Sequence, residues 1–485
     1  LIIPDVYQYS NSAERIVPDE HNWDKQVFSL YAKVNIGYKD MVYLDGSYRQ
    51  DWSSALPSNN NGYGYPSVGL SFVFSELLQS DIISYGKFRA GWAQVGNDVG
   101  AEKILSSFQL SANPYTNPKT GSGTPLLYTD NKFVDPNIKP AINSSFETGF
   151  DIRFFDDRIG LNATYYHETR KDEIIGVSLS NSNGAGSYLT NAGTSKRDGV
   201  ELSLNGVPVR TRDFRWDATL NFAKNKTIVT DLPEGLNTYQ IGNTASAFGY
   251  INITHERGGE WGQLRGAAIK RADNGDPIIT KDSNGDLTGL YDAVQGQFFG
   301  SVLPDWTGGM VNTFTYKGLG LTAAIDFQKG GKFFSLTEQW GTYTGILDET
   351  AGLNDKGNPK RDAVADGGGV HVTGQDIDGN AVDMYVDAHD YYSQWYSNRL
   401  AEPFVHDASY VKLRELSLNY SLPKRWLGGF INSAKIGVVG RNLWLIAVSG
   451  DNHHRWDPSE LSRTFGEDGQ LPGTRSFGFN VNVTF

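Results

Sequence analysis

Residues 475–485 read Arg-Ser-Phe-Gly-Phe-Asn-Val-Asn-Val-Thr-Phe, and they alternate. Phe477, Phe479, Val481, Val483 and Phe485 share one parity, while Ser476, Gly478, Asn480, Asn482 and Thr484 share the other. Successive side chains of a strand project to opposite faces, so this stretch predicts a two-faced strand. The pattern recurs upstream. Phe28, Leu30, Ala32, Val34, Ile36 and Tyr38 share a parity, opposite Lys33 and Asn35. Phe146, Phe150, Ile152 and Phe154 alternate with Glu147, Asp151 and Arg153. Val200, Leu202 and Leu204 oppose Glu201, Ser203 and Asn205, and Leu319, Leu321, Ala323, Ile325 and Phe327 oppose Thr322, Asp326 and Gln328.

None of these apolar parities carries a charge. A soluble sandwich also alternates, with one face in a core and the other in water, so alternation alone does not separate it from a membrane barrel. Length does. The runs are about 10 residues, as a tilted membrane-crossing strand needs, whereas soluble strands average about 5–6. A Lys or Arg at the bilayer midplane costs roughly 2–4 kcal/mol, which keeps the apolar parity clean.

The periodicity predicts thirteen strands, near 27–38, 41–50, 66–76, 86–96, 144–154, 158–170, 198–208, 213–225, 306–316, 319–329, 409–422, 434–445 and 475–485. Their connections alternate strictly between short and long. The long ones are 51–65, 97–143, 171–197, 226–305, 330–408 and 446–474. Outer-membrane barrels have short periplasmic turns and long extracellular loops. The expected fold is therefore all-β, a transmembrane antiparallel β-barrel, with residues 1–26 as an extracellular segment. An even strand count closes an antiparallel barrel, and thirteen is odd. We therefore expect residues 27–485 to be the C-terminal part of a larger barrel. Around 413–415 the parity of Tyr410–Arg414 slips against that of Leu416, Leu418 and Tyr420. This predicts either a β-bulge or a stretch standing above the membrane.

Composition narrows the classes. No run approaches ~18 uninterrupted apolar residues, which excludes helical spans and leaves a barrel open. The chain has no cysteine, which rules out disulfides, thiolate metal sites and cysteine nucleophiles. A net charge of −12 argues against a nucleic-acid surface. The opening Leu1-Ile2-Ile3-Pro4-Asp5-Val6 has neither a basic n-region nor a signal-peptide h-region.

Several motifs, in order, carry a family resemblance: "YGKFRAGWAQVGN" (85–97), "RDGVELSL" (197–204), "LPDWTGG" (303–309), "YKGLGLTAAIDFQKGG" (316–331), "YVKLRELSLNYSLP" (410–423), "GRNLW" (440–444) and "DPSE" (457–460). Together they resemble the C-terminal portion of SusC/RagA-type TonB-dependent transporters. Pro140 stands where that family more often has Trp. The resemblance implies a 22-stranded barrel, of which about 13 strands lie here. It also implies a plug and a TonB-contacting segment beyond this sequence, a SusD-like surface lipoprotein as partner, and the TonB complex as energy source. The implied function is active import of a large nutrient, an oligosaccharide or peptide, with no enzymatic step and no cofactor. The alternatives are a structural or adhesin-type barrel, or a soluble carbohydrate-binding β-protein.

Candidate chemistry is sparse. Trp340, Tyr343, Tyr391, Tyr392, Trp395, Tyr396 and Trp456 fall in long loops. There their faces could stack on ligand or partner, or pack on one another. Trp216 and Trp444 read as girdle residues at the membrane interfaces. Phe477, Phe479, Val481, Val483 and Phe485 resemble the terminal signal read by barrel-assembly machinery. Asp282, Asn284 and Asp286 space oxygen ligands like the start of a calcium loop, but Leu287 and Ala293 replace the expected Gly and Glu, so a polar turn is preferred. Asp376-Ile377-Asp378-Gly379-Asn380 is weaker, and His453-His454 reads as a solvated loop pair.

Overall fold

Thirteen strands form one antiparallel meander in a computed structural model. It describes residues 2–13, 22–78, 80–101, 103–104, 108–111, 115–243, 251–463 and 465–485. The strands are β1 (Val27–Tyr38), β2 (Val42–Ser53), β3 (Gly62–Val73), β4 (Ile83–Asn97), β5 (Ala141–Phe154), β6 (Ile159–Lys171), β7 (Thr194–Arg210), β8 (Phe214–Asp231), β9 (Trp306–Tyr316), β10 (Leu319–Lys329), β11 (Tyr410–Ser421), β12 (Ser433–Val448) and β13 (Ser476–Thr484). Each pairs with its neighbours in sequence, and β1 and β13 are the two edges.

All thirteen predicted strands are present in the predicted order. They differ mainly at the loop end, where several run further: β7 begins at Thr194 and β8 continues to Asp231. The reason is physical. Alternation reflects lipid on one face and water on the other, so it stops where both faces meet water. The hydrogen-bond ladder does not stop there, and Lys196 still pairs with Ile228.

The outer wall is the apolar parity, and it is exposed: Leu30 is 58% and Phe479 70% accessible. Cross-strand rows such as Phe150, Ala163, Leu202, Phe222, Gly308 and Phe327 run around it. A soluble sandwich would bury this face under a second sheet; here it matches a lipid-facing surface. Trp216 stacks on Phe314 (5.7 Å) near the short-turn end, and Trp444 is exposed at the loop end, as girdle residues would be.

Three short connections close with left-handed residues: Lys39-Asp40 (φ 50° and 54°), Phe155-Asp156-Asp157 and Lys317-Gly318 (φ 46° and 88°). Two-residue turns with positive φ at both positions match the twist of the strands they join. The parity slip in β11 is a bulge. Ile325 faces Leu413 and Ala324 faces Glu415, which leaves Arg414 as the extra residue.

At the other end, the connections 232–305 and 330–409 build a body of their own. Ile253, Leu264, Val302, Phe334, Trp395 and Phe404 form its core, and a smaller core gathers Ile279, Val372, Val382 and Val386. Two helices stand in it, α1 (Leu336–Thr344) and α2 (Ala388–Ser397). Ser335 caps α1 by accepting from the Glu338 N–H, and Asp387 caps α2 through the His389 N–H. Gly345, at φ 72°, ends α1 in the left-handed conformation that favours glycine. In the 98–140 connection the segment with Pro140 folds as a turn that buries Ile138.

Candidate functional site

Six of the seven predicted loop aromatics meet on the α1–α2 pair, where they pack on one another. Tyr392 and Trp395 are buried in the loop core. Tyr391 sits against Tyr291 (6.1 Å) and Trp395 (5.7 Å). Trp340, Tyr343 and Tyr396 form a triangle with centroid separations of 5.9, 6.3 and 5.1 Å, and all three are half-buried. Burial pushes the phenol groups of Tyr391 and Tyr392 above the ordinary tyrosine value. Trp456 lies apart, in the last loop. Its backbone N–H donates to Asn452 Oδ1, and its ring stands 6.2 Å from that of His454.

The acidic turns hold their own backbone. Asp282 Oδ1 accepts from the N–H groups of Asn284 and Asp286, closing a hairpin at Gly285 (φ 91°). Asp376 does the same with Asp378 and Asn380, and Lys281 Nζ bridges Asp376 (3.0 Å) and Asp378 (2.6 Å), supplying the positive charge that a cation would bring. Hydrogen bonds from Asn380 and Lys281 hold the Asp376 carboxyl well below the ordinary value. Among the described residues no group of three or more His, Asp and Glu is placed to hold a metal. His453 is exposed, whereas His454 Nε2 approaches Glu349 at 3.5 Å.

The polar parity forms an inner wall of both charge signs. Arg49 pairs with Asp51 (2.7 Å), which also accepts from the Tyr65 hydroxyl. Arg89 donates to Asn162 and Thr164. Near the loop body, Glu168, Arg170, Ser195 and Arg197 line a half-open cavity of about 180 Å³, together with Trp261 and Leu303. The Arg197 guanidinium lies 5.7 Å from the centre of the Tyr166 ring. Gly199 makes room for that ring, since a Cβ there would meet it at 2.2 Å. One carboxylate oxygen of Glu168 and Nε of Arg197 are buried without protein partners, an arrangement suited to a bound polar ligand.

Two buried polar clusters clamp the last loop, and the periodicity argument missed both. Lys412 is 2% exposed and donates to Asp457 (2.5 Å) and Glu460 (3.0 Å). The bulged Arg414 reaches Asp326 (2.7 Å) and approaches Glu460 (3.7 Å). Burial pushes the Asp457 carboxyl up, but hydrogen bonds from Lys412 and Ser459 outweigh this and hold it below the ordinary value. The opposite charges of "YVKLRE" and "DPSE" were the available signal. In the second cluster, Glu467 accepts from the hydroxyls of Ser335 and Thr337. Beside it, His406 faces the Asp451 carbonyl through Nδ1 (2.9 Å) and Glu338 through Nε2 (2.7 Å).

His255 contrasts with His406. Burial pushes it down to about 4, and its Nε2 has no hydrogen-bond partner. Its folded value lies below its ordinary 6.5, so the unfolded segment takes up a proton first on acidification. Stability present above about pH 6.5 is then lost towards about pH 4, by roughly 3 kcal/mol. Hydrogen exchange over residues 251–269, with Trp261 fluorescence as a local reporter (rings 5.2 Å apart), should show this opening. His255→Gln should remove the pH dependence. Equal acid sensitivity in both proteins would refute the assignment.

Comparison with known proteins agrees with this architecture. The family model described as TonB dependent receptor-like, beta-barrel, matches residues 4–443. TonB-dependent receptor P3 of Formosa agariphila is 25% identical, over 96% of this chain and 46% of its own length. TonB-dependent receptor SusC of Bacteroides thetaiotaomicron is 21% identical, over 82% of this chain and 38% of its own. Among solved structures, the RagAB peptide transporter superposes with a TM-score of 0.71 at 21% identity, covering 95% of this chain and 48% of that one. The chain thus spans about half the length of these relatives. The family consists of transporters, not enzymes, and works in the outer membrane, in keeping with the reading from sequence. The chain belongs to the TonB-dependent receptor β-barrel family, and within it is similar to SusC and to the RagAB transporter.

Proposed function

We propose that this chain is the C-terminal barrel wall and extracellular mouth of a TonB-dependent importer for a large polar nutrient. On this reading residues 27–485 supply barrel strands, residues 1–26 are extracellular, and the plug and TonB-contacting segment belong to the rest of the receptor. A SusD-like lipoprotein would cover the loop body, and the half-buried Trp340, Tyr343 and Tyr396 are the candidate contact. The exposed Phe477, Phe479, Val481, Val483 and Phe485 on edge strand β13 would serve as the assembly signal.

The observation that carries the reading is the two-signed cavity of Glu168, Arg170 and Arg197 at the junction of inner wall and loop body. Of the two nutrient classes, peptide is favoured. Most of the loop aromatics that could have stacked on neutral sugars are engaged with one another, while a peptide's carboxylates and amines match fixed charges of both signs. The test uses the full-length receptor with its partner. Mixed oligopeptides should bind in calorimetry, and Arg170→Ala with Arg197→Ala should weaken binding about tenfold or more. Neutral oligosaccharides binding instead, unaffected by these changes, would overturn the peptide reading. Uptake that persists in cells lacking TonB would overturn import.

A further inference from the structure

The outer wall carries a second feature, adjacent to the inner cavity, with which it shares Thr227 and Leu303. The ladder between β8 and β9 ends at Ala223 and Thr307. Beyond that point β8 continues outward, bridging Ile228 to Glu260, and the chain leading into β9 diverges. The gap between them is a pocket of about 470 Å³ bounded by Lys224, Lys226, Trp306, Lys329, Asp305 and Glu260.

Its position follows from parity. Lys224 and Lys226 continue the row of Leu220 and Phe222, and Lys329 continues that of Ile325 and Phe327. The lysines therefore project from the lipid-facing wall, just beyond its apolar band. Trp306 packs between Phe222 and Phe327 (5.8 Å each) at that border. Lys226 is engaged by Glu260 at 2.9 Å, but Lys224 and Lys329 have no ion pair among the described residues. Lys196 and Lys171 extend the cationic strip along the same wall. Three carboxylates adjoin the strip: Glu260 engages Lys226, Asp198 is taken by Tyr165 and His167, and Asp305 borders the pocket, which leaves Lys224 and Lys329 in excess over it. On β2 to β5 the corresponding outward positions are neutral: Gln50, Gly64, Gln94 and Ser144. In a chain of net charge −12, a local run of outward lysines beside an interfacial Trp is a specific arrangement.

We infer that this pocket binds the phosphate of an outer-leaflet lipid headgroup, with the acyl chains lying on the apolar band below. Lysine acts as a point-charge phosphate ligand, its stem lies along apolar surface, and Trp favours this depth. Such a lipid would fix the barrel's height and seal the gap where the β8–β9 ladder ends.

The test is binding of bisphosphorylated lipid A to the full-length receptor in detergent, by native mass spectrometry with titration. A lysine near a charged membrane surface contributes about a fivefold gain in affinity. Lys224→Gln with Lys329→Gln should therefore weaken binding about twentyfold to thirtyfold. Lys317→Gln, at the opposite end of the β9–β10 hairpin, should leave it unchanged. Retained mobility of the folded barrel in gels confirms assembly of the variants. Fully dephosphorylated lipid A should bind the unaltered receptor as weakly as the phosphorylated lipid binds the double variant, an arm that needs no substitution. Equal binding of both lipids overturns the proposal. Displacement of the lipid by equimolar inorganic phosphate also overturns it, by making the pocket a free-anion site.

Discussion

Replacing Lys412 with alanine will destabilise the outer end of the barrel by about 3–5 kcal/mol, the cost of leaving a buried ion pair half broken. The side chain is enclosed, and Asp457 and Glu460 both converge on its ammonium group. Without it, two carboxylates stay in a partly desolvated corner, with Ser459 donating to Asp457 and Arg414 near Glu460. The last loop should respond by detaching: residues 449–475 exchange hydrogen faster, and the folded band in a temperature-ramped gel is lost earlier. Lys412→Met combined with Glu460→Gln should cost less than the sum of the single changes, because the groups act as one network. A shift within about 0.5 kcal/mol for Lys412→Ala would show that the cluster contributes no net stability.

Phe334→Ala should cost a similar amount, about 3–5 kcal/mol, yet elsewhere. Phe334 is fully buried in the loop core, on a short strand (Lys332–Ser335) that pairs with Val405–Asp407 on one side and Gly466–Glu467 on the other. Removing the ring leaves a cavity where three connections meet. Limited proteolysis should then cut within residues 232–305 and 330–409, while the barrel keeps its gel mobility, since none of the thirteen strands loses a ladder bond. If the barrel melts in step with the loops, wall and loop body are one cooperative unit. If proteolysis is unchanged, the core does not hold the loops.

Both predictions concern contacts that no window of sequence displays. Lys412 and Asp457 lie far apart along the chain, and the loop core draws Ile253, Leu264, Phe334, Trp395 and Phe404 from two connections separated by a hairpin. These segments do not alternate over any length, because they are buried from several directions at once. The seven loop aromatics were visible as a group, but their partners were not. Sequence could not tell that Trp395 lies inside a core, while Trp340, Tyr343 and Tyr396 stay half-buried. The acidic turns show the same limit: the spacing of Asp376 and Asp378 suggests a cation, and the fold brings Lys281 to the spot.

The sequence by itself determined the thirteen strands, their order, the side each turns to lipid and the end that carries the long loops; it marked the parity slip in β11, which the register then showed to be a bulge. It could do so because a lipid-facing wall imposes a period of two on every strand, and antiparallel neighbours in the chain are neighbours in space. Tertiary structure alone decided the loop body, the Lys412 and His406 clusters, the two-signed inner cavity and the gap beside Lys224 and Lys329. Each of these depends on side chains brought together from distant segments, where burial and charge pairing, not local periodicity, select the arrangement.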